Sequence, residues 1–322
     1  MKRSSATMDM PTPSGLMVST LMRHLQDVVA SHGDYMMNQL TRNGITLFHG
    51  RARFLSDHLI ELLTVDGMTQ TVTADTIVIA TGSRPRAPVN IPIDHEHVLD
   101  SDSLLSMIYL PRSLTILGGG IVASEYASIF AALGVQVTLI DRAPRPLQFF
   151  DEELVRVFTQ SFELEGGRYY GGQTIQDVRW DGISQVVTTL QDGQVFTSDK
   201  MLVALGRQPN LEDLNLSATG LTLTEKGALA VNEHCQTVVP HIYGVGDLNG
   251  VAVRLLQNVQ QNRPPSVGAH DVIDGLLACL NRGDVLHQDG RSFDNVDDQV
   301  VNLLFVSQKA RNGCQIQVIV LL

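Results

Sequence analysis

One segment constrains this chain more than any other: residues 114–134, LTILGGGIVASEYASIFAALG. It begins with Leu114-Thr115-Ile116-Leu117, a short apolar run of the kind that forms a buried parallel strand. After Gly118, Gly119 and Gly120, the apolar residues Ile121, Val122, Tyr126, Ile129, Phe130 and Leu133 recur at helical spacing. Strand, glycine turn and helix together carry the spacing Gly118-x-Gly120-x-x-Ala123. The first glycine permits the tight turn and the second lets a pyrophosphate approach the backbone. The third small residue lets helix pack on strand. Free N–H groups and the helix dipole favour an anion at the start of that helix.

The downstream sequence agrees. A second strand, residues 135–140, ends at Asp141, where an acid about 20 residues past the glycines holds the adenosine ribose. Asp141 favours the free 2′-hydroxyl of NAD(H), whereas Arg142 or Arg145 would meet the 2′-phosphate of NADP(H). Read as solvated loop cations, the two arginines fit the sequence equally well. Composition removes other classes. The chain of 322 residues has a net charge of −11 and no basic block, so nucleic acid has no electrostatic foothold. No apolar run approaches the ~18 residues of a membrane span, and the first residues lack the apolar core of a secretory signal. Cys235, Cys279 and Cys314 show no metal or CxxC spacing, and the histidines are scattered. A reducing, cytoplasmic setting without a metal site is expected.

Ahead of this segment, residues 16–43 carry an apolar, methionine-rich stripe of helical period, interrupted near Ser31-His32-Gly33. Residues 45–49, 59–65 and 69–72 predict a β-meander with an Asp66-Gly67 turn. Residues 75–80 form a buried strand running into Thr81-Gly82-Ser83-Arg84-Pro85, and the prolines of 84–97 mark a connection between domains. Ser101 is expected to cap a short helix. Beyond Asp141, Asp151-Glu152-Glu153 open a helix with acids at its positive end. Residues 174–180, 185–190, 195–196 and 200–205 then read as strands. A small antiparallel section is expected over 215–233, and residues 241–247 read as a last buried strand ending at Asp247. Past Gly250, residues 271–280 read as a helix, while 300–306 and 316–322 are strand-like runs without evident partners.

Four motifs now stand in one order: Ala80-Thr81-Gly82-Ser83-Arg84-Pro85, Gly118 to Glu125, Leu205-Gly206-Arg207-Gln208-Pro209-Asn210, and Tyr243-Gly244-Val245-Gly246-Asp247. On them the chain resembles the two-dinucleotide-binding flavoproteins, or pyridine nucleotide-disulfide oxidoreductases. Residues 99–107 and 125–130 are similar to the soluble, Si-specific pyridine nucleotide transhydrogenases within that family. The resemblance implies an α/β fold in which a Rossmann-like NAD(P)-binding domain is inserted in a partial FAD-binding domain of the same type. Residues 1–97 would belong to the FAD-binding part, 98–220 to the NAD(P)-binding domain and 221–250 to the return, leaving 251–322 unassigned. NAD(P) and FAD are the implied cofactors, and nicotinamide nucleotides the implied partners.

Residue by residue, Gly118, Gly119, Gly120 and Ala123 would hold the NAD(P) pyrophosphate, with Asp141 and Arg142 at its adenosine end. Ile121 stands where several members carry a gating tyrosine. Gly206 and Arg207 would border the nicotinamide, Thr81 and Gly82 would lie near the flavin nucleotide, and Asp247 would bond its ribityl chain. Glu125 matches a family glutamate near nicotinamide and flavin and is the one catalytic candidate, an exposed helix acid being its other reading. The family's opening FAD fingerprint, redox CxxxxC and C-terminal dimerisation domain find no match, so the chain is expected to be incomplete at both ends. The implied reaction is flavin-dependent hydride transfer between NADPH and NAD, which needs no cysteine pair. A dihydrolipoyl dehydrogenase-like reductase would need one, and a nucleotide-binding fragment without activity is the third alternative.

Overall fold

The computed structural model describes residues 18–249, 303–311 and 314–321. In chain order the first elements are α1 (Val18–Arg42), β1 (Thr46–Phe54), β2 (Leu59–Thr64), β3 (Thr69–Thr73), β4 (Thr76–Ile79), β5 (Ser83–Pro85) and β6 (Val98–Asp100). Next come β7 (Ser113–Leu117), α2 (Ile121–Ala132), β8 (Gln136–Ile140), α3 (Glu152–Leu164) and β9 (Arg168–Tyr170). They are followed by β10 (Ile175–Trp180), β11 (Val186–Leu190), β12 (Val195–Ser198), β13 (Lys200–Val203), β14 (Arg207–Pro209) and β15 (Ile242–Gly244). The last two strands are β16 (Leu303–Arg311) and β17 (Cys314–Leu321). These elements gather into two compact units: Met1–Val29 with Pro85–Gly206, and Ala30–Arg84 with Arg207–Leu322. The chain changes unit after Arg84 and after Gly206, where the sequence reading puts the changes near residues 97 and 220. β5 and β14 form a two-stranded sheet.

The first unit is built on a sheet of order β6-β13-β7-β8-β9 in which every neighbour is parallel. Parallel neighbours need crossovers, and α2 and α3 supply those from β7 to β8 and from β8 to β9. Asp151 caps α3 by accepting from the Glu153 N–H at 2.9 Å, which satisfies one orphan donor of its first turn. On one face of the sheet, Leu114, Ile116, Leu139 and Leu202 pack against Ala123, Ala127, Phe130 and Phe162 of the helices. On the other, Leu117, Ile140, Met201 and Val203 pack against Val178, Val186 and Leu190 of the antiparallel β10-β11-β12 sheet. Burial on both faces is why these strands read as continuous apolar runs. The expected short helix is a 3-10 turn, Ser103–Ser106, and Ser101 does not cap it. The Asp100 carboxylate accepts instead from the N–H groups of Asp102 and Ser103, since one anionic oxygen can serve several donors.

The second unit holds a seven-stranded mixed sheet, β15-β4-β17-β16-β1-β2-β3. β15, β4 and β17 run parallel, and β16, β1, β2 and β3 continue antiparallel. Its core gathers Phe54, Ile60, Leu62, Ile77, Ile79 and Ile242. The β-meander is present as expected. The two terminal runs are not without partners: β17 enters the sheet between β4 and β16, with Val318 opposite Thr76 and Leu321 opposite Ile79. Such long-range pairing leaves no mark on local periodicity. Within residues 215–233 a 3-10 turn, Leu216–Ala218, precedes a small antiparallel section, reduced to a single Leu223–Leu229 bridge with the Ala230 N–H donating to Thr222 O at 3.1 Å. α1 runs unbroken through Gly33, whose interior position costs about 1 kcal/mol relative to alanine without ending the helix. The helix expected over 271–280 lies outside the described residues.

Candidate nucleotide site

From β7 the chain steps outward through α2 to β8 and through α3 to β9, then returns by way of the β10–β12 sheet to β13 on the opposite side of β7. The strand order therefore reverses between β7 and β13. In open parallel sheets, ligands bind beyond the carboxyl ends of the strands at such a reversal. A cavity of about 530 Å³ opens there. Its floor is Gly118, Gly119 and Gly120 after β7, and Ala204, Leu205 and Gly206 after β13. Asp141 and Arg142 close it at the end of β8, with Gln173, Thr174 and Ile175 beside them. Arg86, Pro88, Asn90 and Ile91 form the remaining wall.

The glycine turn is shaped by close approach and by open space in succession. Gly118 has φ 112°, and a Cβ there would collide with the carbonyl oxygen of Ala204. A Cβ on Gly119 would take the place of an Asp141 carboxylate oxygen. Around Gly120 a Cβ would meet nothing within 4 Å, so the second fingerprint glycine faces free volume. Gly120 is also the N-cap of α2, and no side chain caps that helix. Its first-turn N–H groups have no intrahelical acceptor, which suits them to a phosphate. The Gly118 N–H donates to Ile140 O at 2.8 Å and the Leu147 N–H to Gly119 O at 2.7 Å, pinning the turn from both sides. Ala123 is fully buried against the sheet, as the third small residue must be. A cradle open over Gly120 with uncapped N–H groups fits a dinucleotide pyrophosphate.

Asp141 is half-buried, and its backbone is held by Tyr170 O and by the Gln173 N–H. The Tyr169 hydroxyl donates to Ala143 O at 2.9 Å. Burial, and then the negative charge of Asp141, push the Tyr169 phenol far above its ordinary range, so it remains a donor that fixes this loop. The two arginines that the sequence leaves equal are distinct here. Arg145 donates to the carbonyls of Phe150 and Gln148 at 3.2 Å and is folded onto its own loop, while Arg142 is exposed and lines the cavity.

Gly118, Gly119, Gly120, Asp141, Arg142 and Gly206 are thus brought to one cavity. Ile121 and Glu125 lie on exposed positions of α2 and do not line it. The wall residues Arg86, Asn90 and Gln173 escape sequence reasoning because they obey no fixed spacing from the glycines.

Thr81, Gly82, Arg207 and Asp247 form a separate group in the second unit. The Asp247 carboxylate accepts from the Ser83 hydroxyl at 2.7 Å and stands 3.7 Å from Arg207 Nε. Arg207 donates to Ser83 through both its hydroxyl and its carbonyl, at 2.8 and 2.6 Å. Thr81 donates to Asn210 O at 2.7 Å, and Asn210 returns a hydrogen bond to Thr81 O. Gly82 and Gly246, beyond the carboxyl ends of the neighbouring strands β4 and β15, both face open space. These residues fit one end of a second dinucleotide. Among the described residues, no glycine turn in this unit runs into a helix.

No metal site is expected from the sequence, yet Asp57, His58 and His241 offer ligand atoms within 4.8 Å of one another. The two imidazoles stack at 3.7 Å with planes 6° apart, which keeps their in-plane lone pairs from converging on one ion. Among the described residues, no helix is long and apolar enough to cross a membrane.

The sequence pattern described as pyridine nucleotide-disulphide oxidoreductase matches residues 4–267. The chain is 38% identical over 232 residues to a soluble pyridine nucleotide transhydrogenase from Photobacterium profundum, covering 72% of this chain and 49% of that relative. Among solved structures it is similar to a Cu(II) complex of the HOCl-induced flavoprotein disulfide reductase RclA from Escherichia coli. The TM-score is 0.60 at 25% identity, over 69% of this chain and 52% of that one. LpdA from Mycobacterium tuberculosis shares the fold, with a TM-score of 0.67 at 24% identity over 78% of this chain and 58% of that one. The chain spans about half the length of the curated relatives it matches.

Proposed function

This chain belongs to the pyridine nucleotide-disulphide oxidoreductase family, and from that premise we propose that it takes part in flavin-dependent hydride transfer between NADPH and NAD. The reaction is that of a soluble pyridine nucleotide transhydrogenase, in a cytoplasmic setting, with NAD(P)(H) in the Pro85–Gly206 unit. The observation that carries the nucleotide site is the glycine cradle at the strand-order reversal, closed at Gly118 and open at Gly120. The N–H groups at the start of α2 would hold the pyrophosphate. Asp141 would accept from the adenosine 2′-hydroxyl, with Arg142 beside it for a 2′-phosphate, so that one site accommodates both nucleotides. Gly206 would leave room for the nicotinamide ribose. Thr81, Gly82 and Asp247 would hold the flavin end of FAD. When bound, FAD supplies the two-electron carrier, while the protein supplies orientation and electrostatics. Glu125 is the proposed acid near the reacting rings.

The reading is tested by two titrations on the chain as it stands. Saturable quenching or enhancement of NADH fluorescence is expected, together with a yellow flavin spectrum after incubation with FAD. A colourless protein that still binds NADH would reduce the proposal to nucleotide binding. Absence of NADH binding would overturn it. A reductase of the dihydrolipoyl dehydrogenase type gains no support from the cysteines: Cys235 is a buried free thiol, and Cys235, Cys279 and Cys314 show no CxxxxC spacing.

A further inference from the structure

The cavity beside the glycine turn is lined by two cationic side chains, Arg86 and Arg142. Both are exposed, and neither guanidinium has a hydrogen-bond or ion-pair partner among the described residues. That distinguishes them from Arg84, held by Glu212, from Arg145, held by backbone carbonyls, and from Arg207, held by Ser83. Their positions differ with respect to the turn. The Arg86 N–H donates to Gly206 O at 3.0 Å, which seats Arg86 beyond the carboxyl end of β13. Arg142 follows Asp141 at the end of β8. Gly118 lies between, close against the Ala204 carbonyl.

Resting on the nucleotide site proposed above, we propose that Arg86 is the counter-charge of the dinucleotide pyrophosphate on its nicotinamide side. Arg142 is then left to the 2′-phosphate at the adenosine end. Direction follows from Asp141: an acid at the end of β8 takes the adenosine ribose, so the other half of the dinucleotide extends toward β13 and Arg86. The pyrophosphate carries charge in NADH and NADPH alike, and the neutral turn amides leave most of it uncompensated. A guanidinium offers a planar fork of donors matched to phosphate oxygens and is charged at any working pH. In a chain of net charge −11, two arginines that line this cavity without a partner among the described residues supply a local field for an anionic ligand. Arg86 therefore contributes to both nucleotides and Arg142 discriminates between them.

The test is fluorescence or calorimetric titration of the wild-type chain, Arg86→Ala, Arg86→Lys and Arg142→Ala with NADH, NADPH and ADP-ribose. Loss of one charge-assisted hydrogen bond to a phosphate predicts that Arg86→Ala raises Kd about tenfold for all three ligands. Arg86→Lys should recover part of that loss, and the difference between wild type and Arg86→Ala should shrink as salt screens the charge. Arg142→Ala should raise Kd for NADPH alone. Because the Arg86 guanidinium has no partner among the described residues, unfolding temperatures of the variants should match the wild type, and Arg86→Gln serves if Arg86→Ala is poorly folded. If the wild type binds NADH and ADP-ribose and Arg86→Ala binds them equally well, the assignment of Arg86 is overturned and the nucleotide site stands. If the wild type binds none of the three, both fall.

Discussion

The two units solve the same problem, how to end a parallel strand usefully, with unequal equipment. In the first, β7 runs through Gly118-Gly119-Gly120 directly into α2, so turn, helix N-terminus and neighbouring strand ends share one cavity. In the second, β4 ends at Thr81-Gly82 and β15 at Val245-Gly246-Asp247, with open volume above the glycines, but the described residues place no helix after either strand. The difference also shows in how the acids are used. Asp141 faces a cavity, whereas Asp247 is already engaged by Ser83 and sits beside Arg207. Glycine and acid at strand ends are therefore not sufficient for a phosphate cradle. Among the described residues, the uncapped helix N-terminus is the part that distinguishes the two.

The units differ equally in how their sheets are completed, and the largest predicted effect follows from this. Ending the chain after residue 302 removes β16 and β17, opening a gap between β1 and β4 in the second unit. Unpaired edges and an uncovered Leu321 site should cost more than about 5 kcal/mol, comparable with the whole stability of a domain. Two-stage urea unfolding followed by circular dichroism should lose the transition of that unit, while NADH titration of the first is retained. Loss of both together would show that the comparison is drawn at the wrong boundary.

A smaller effect, confined to the cradle, is expected for Gly118→Ala. The added methyl meets the Ala204 carbonyl at a φ that other residues avoid, for a strain of roughly 1–3 kcal/mol. Thermal unfolding of the first unit should drop by several degrees and NADH binding should become undetectable. The corresponding Gly82→Ala in the second unit meets no atom within 4 Å, so only its φ of 63° opposes it, and it should leave NADH binding untouched. Next in size, Asp141→Ala should weaken NADH about tenfold while NADPH changes little, because only the free 2′-hydroxyl needs the acid. Equal losses for the two nucleotides in a fluorescence titration would sink that assignment.

What was legible in the sequence was whatever depends on near neighbours along the chain. The β7–α2–β8 segment, the acids opening α3 and the alternating strands of the β10–β12 sheet all follow from periodicity and turn residues. What was not legible depends on partners far away. β17 pairs with β4 across some 240 positions, and nothing in the run Ile316 to Leu321 names that partner. Arg142 and Arg145 are indistinguishable until the carbonyls of Gln148 and Phe150 are seen to hold one of them. Ser101 had the right chemistry for a cap, but Asp100 outcompetes it through charge. The cavity wall at Arg86 and Asn90 read only as a proline-rich connection.

The smallest predicted effect separates the units by pH. Arg84 donates to both carboxylate oxygens of Glu212 at 3.0 and 2.7 Å and to Asn210 Oδ1 at 2.9 Å. The hydrogen bonds from Arg84 hold the Glu212 carboxyl below its ordinary value of 4.5. A depressed carboxylate contributes stability that is present above the unfolded value and lost as pH falls through the folded one, so the window lies on the acid side of about pH 4.5. With the Glu212 side chain 59% exposed, solvent screening keeps the contribution below about 1 kcal/mol. Glu212→Gln should therefore lower the unfolding temperature of the second unit by a few degrees at pH 7, and by progressively less as pH is brought below 4. The first unit should show no difference at either pH. A wild-type and variant gap that stays constant from pH 7 to pH 3 would mean that the Arg84 contact acts through packing and neutral hydrogen bonds rather than through the charge of Glu212.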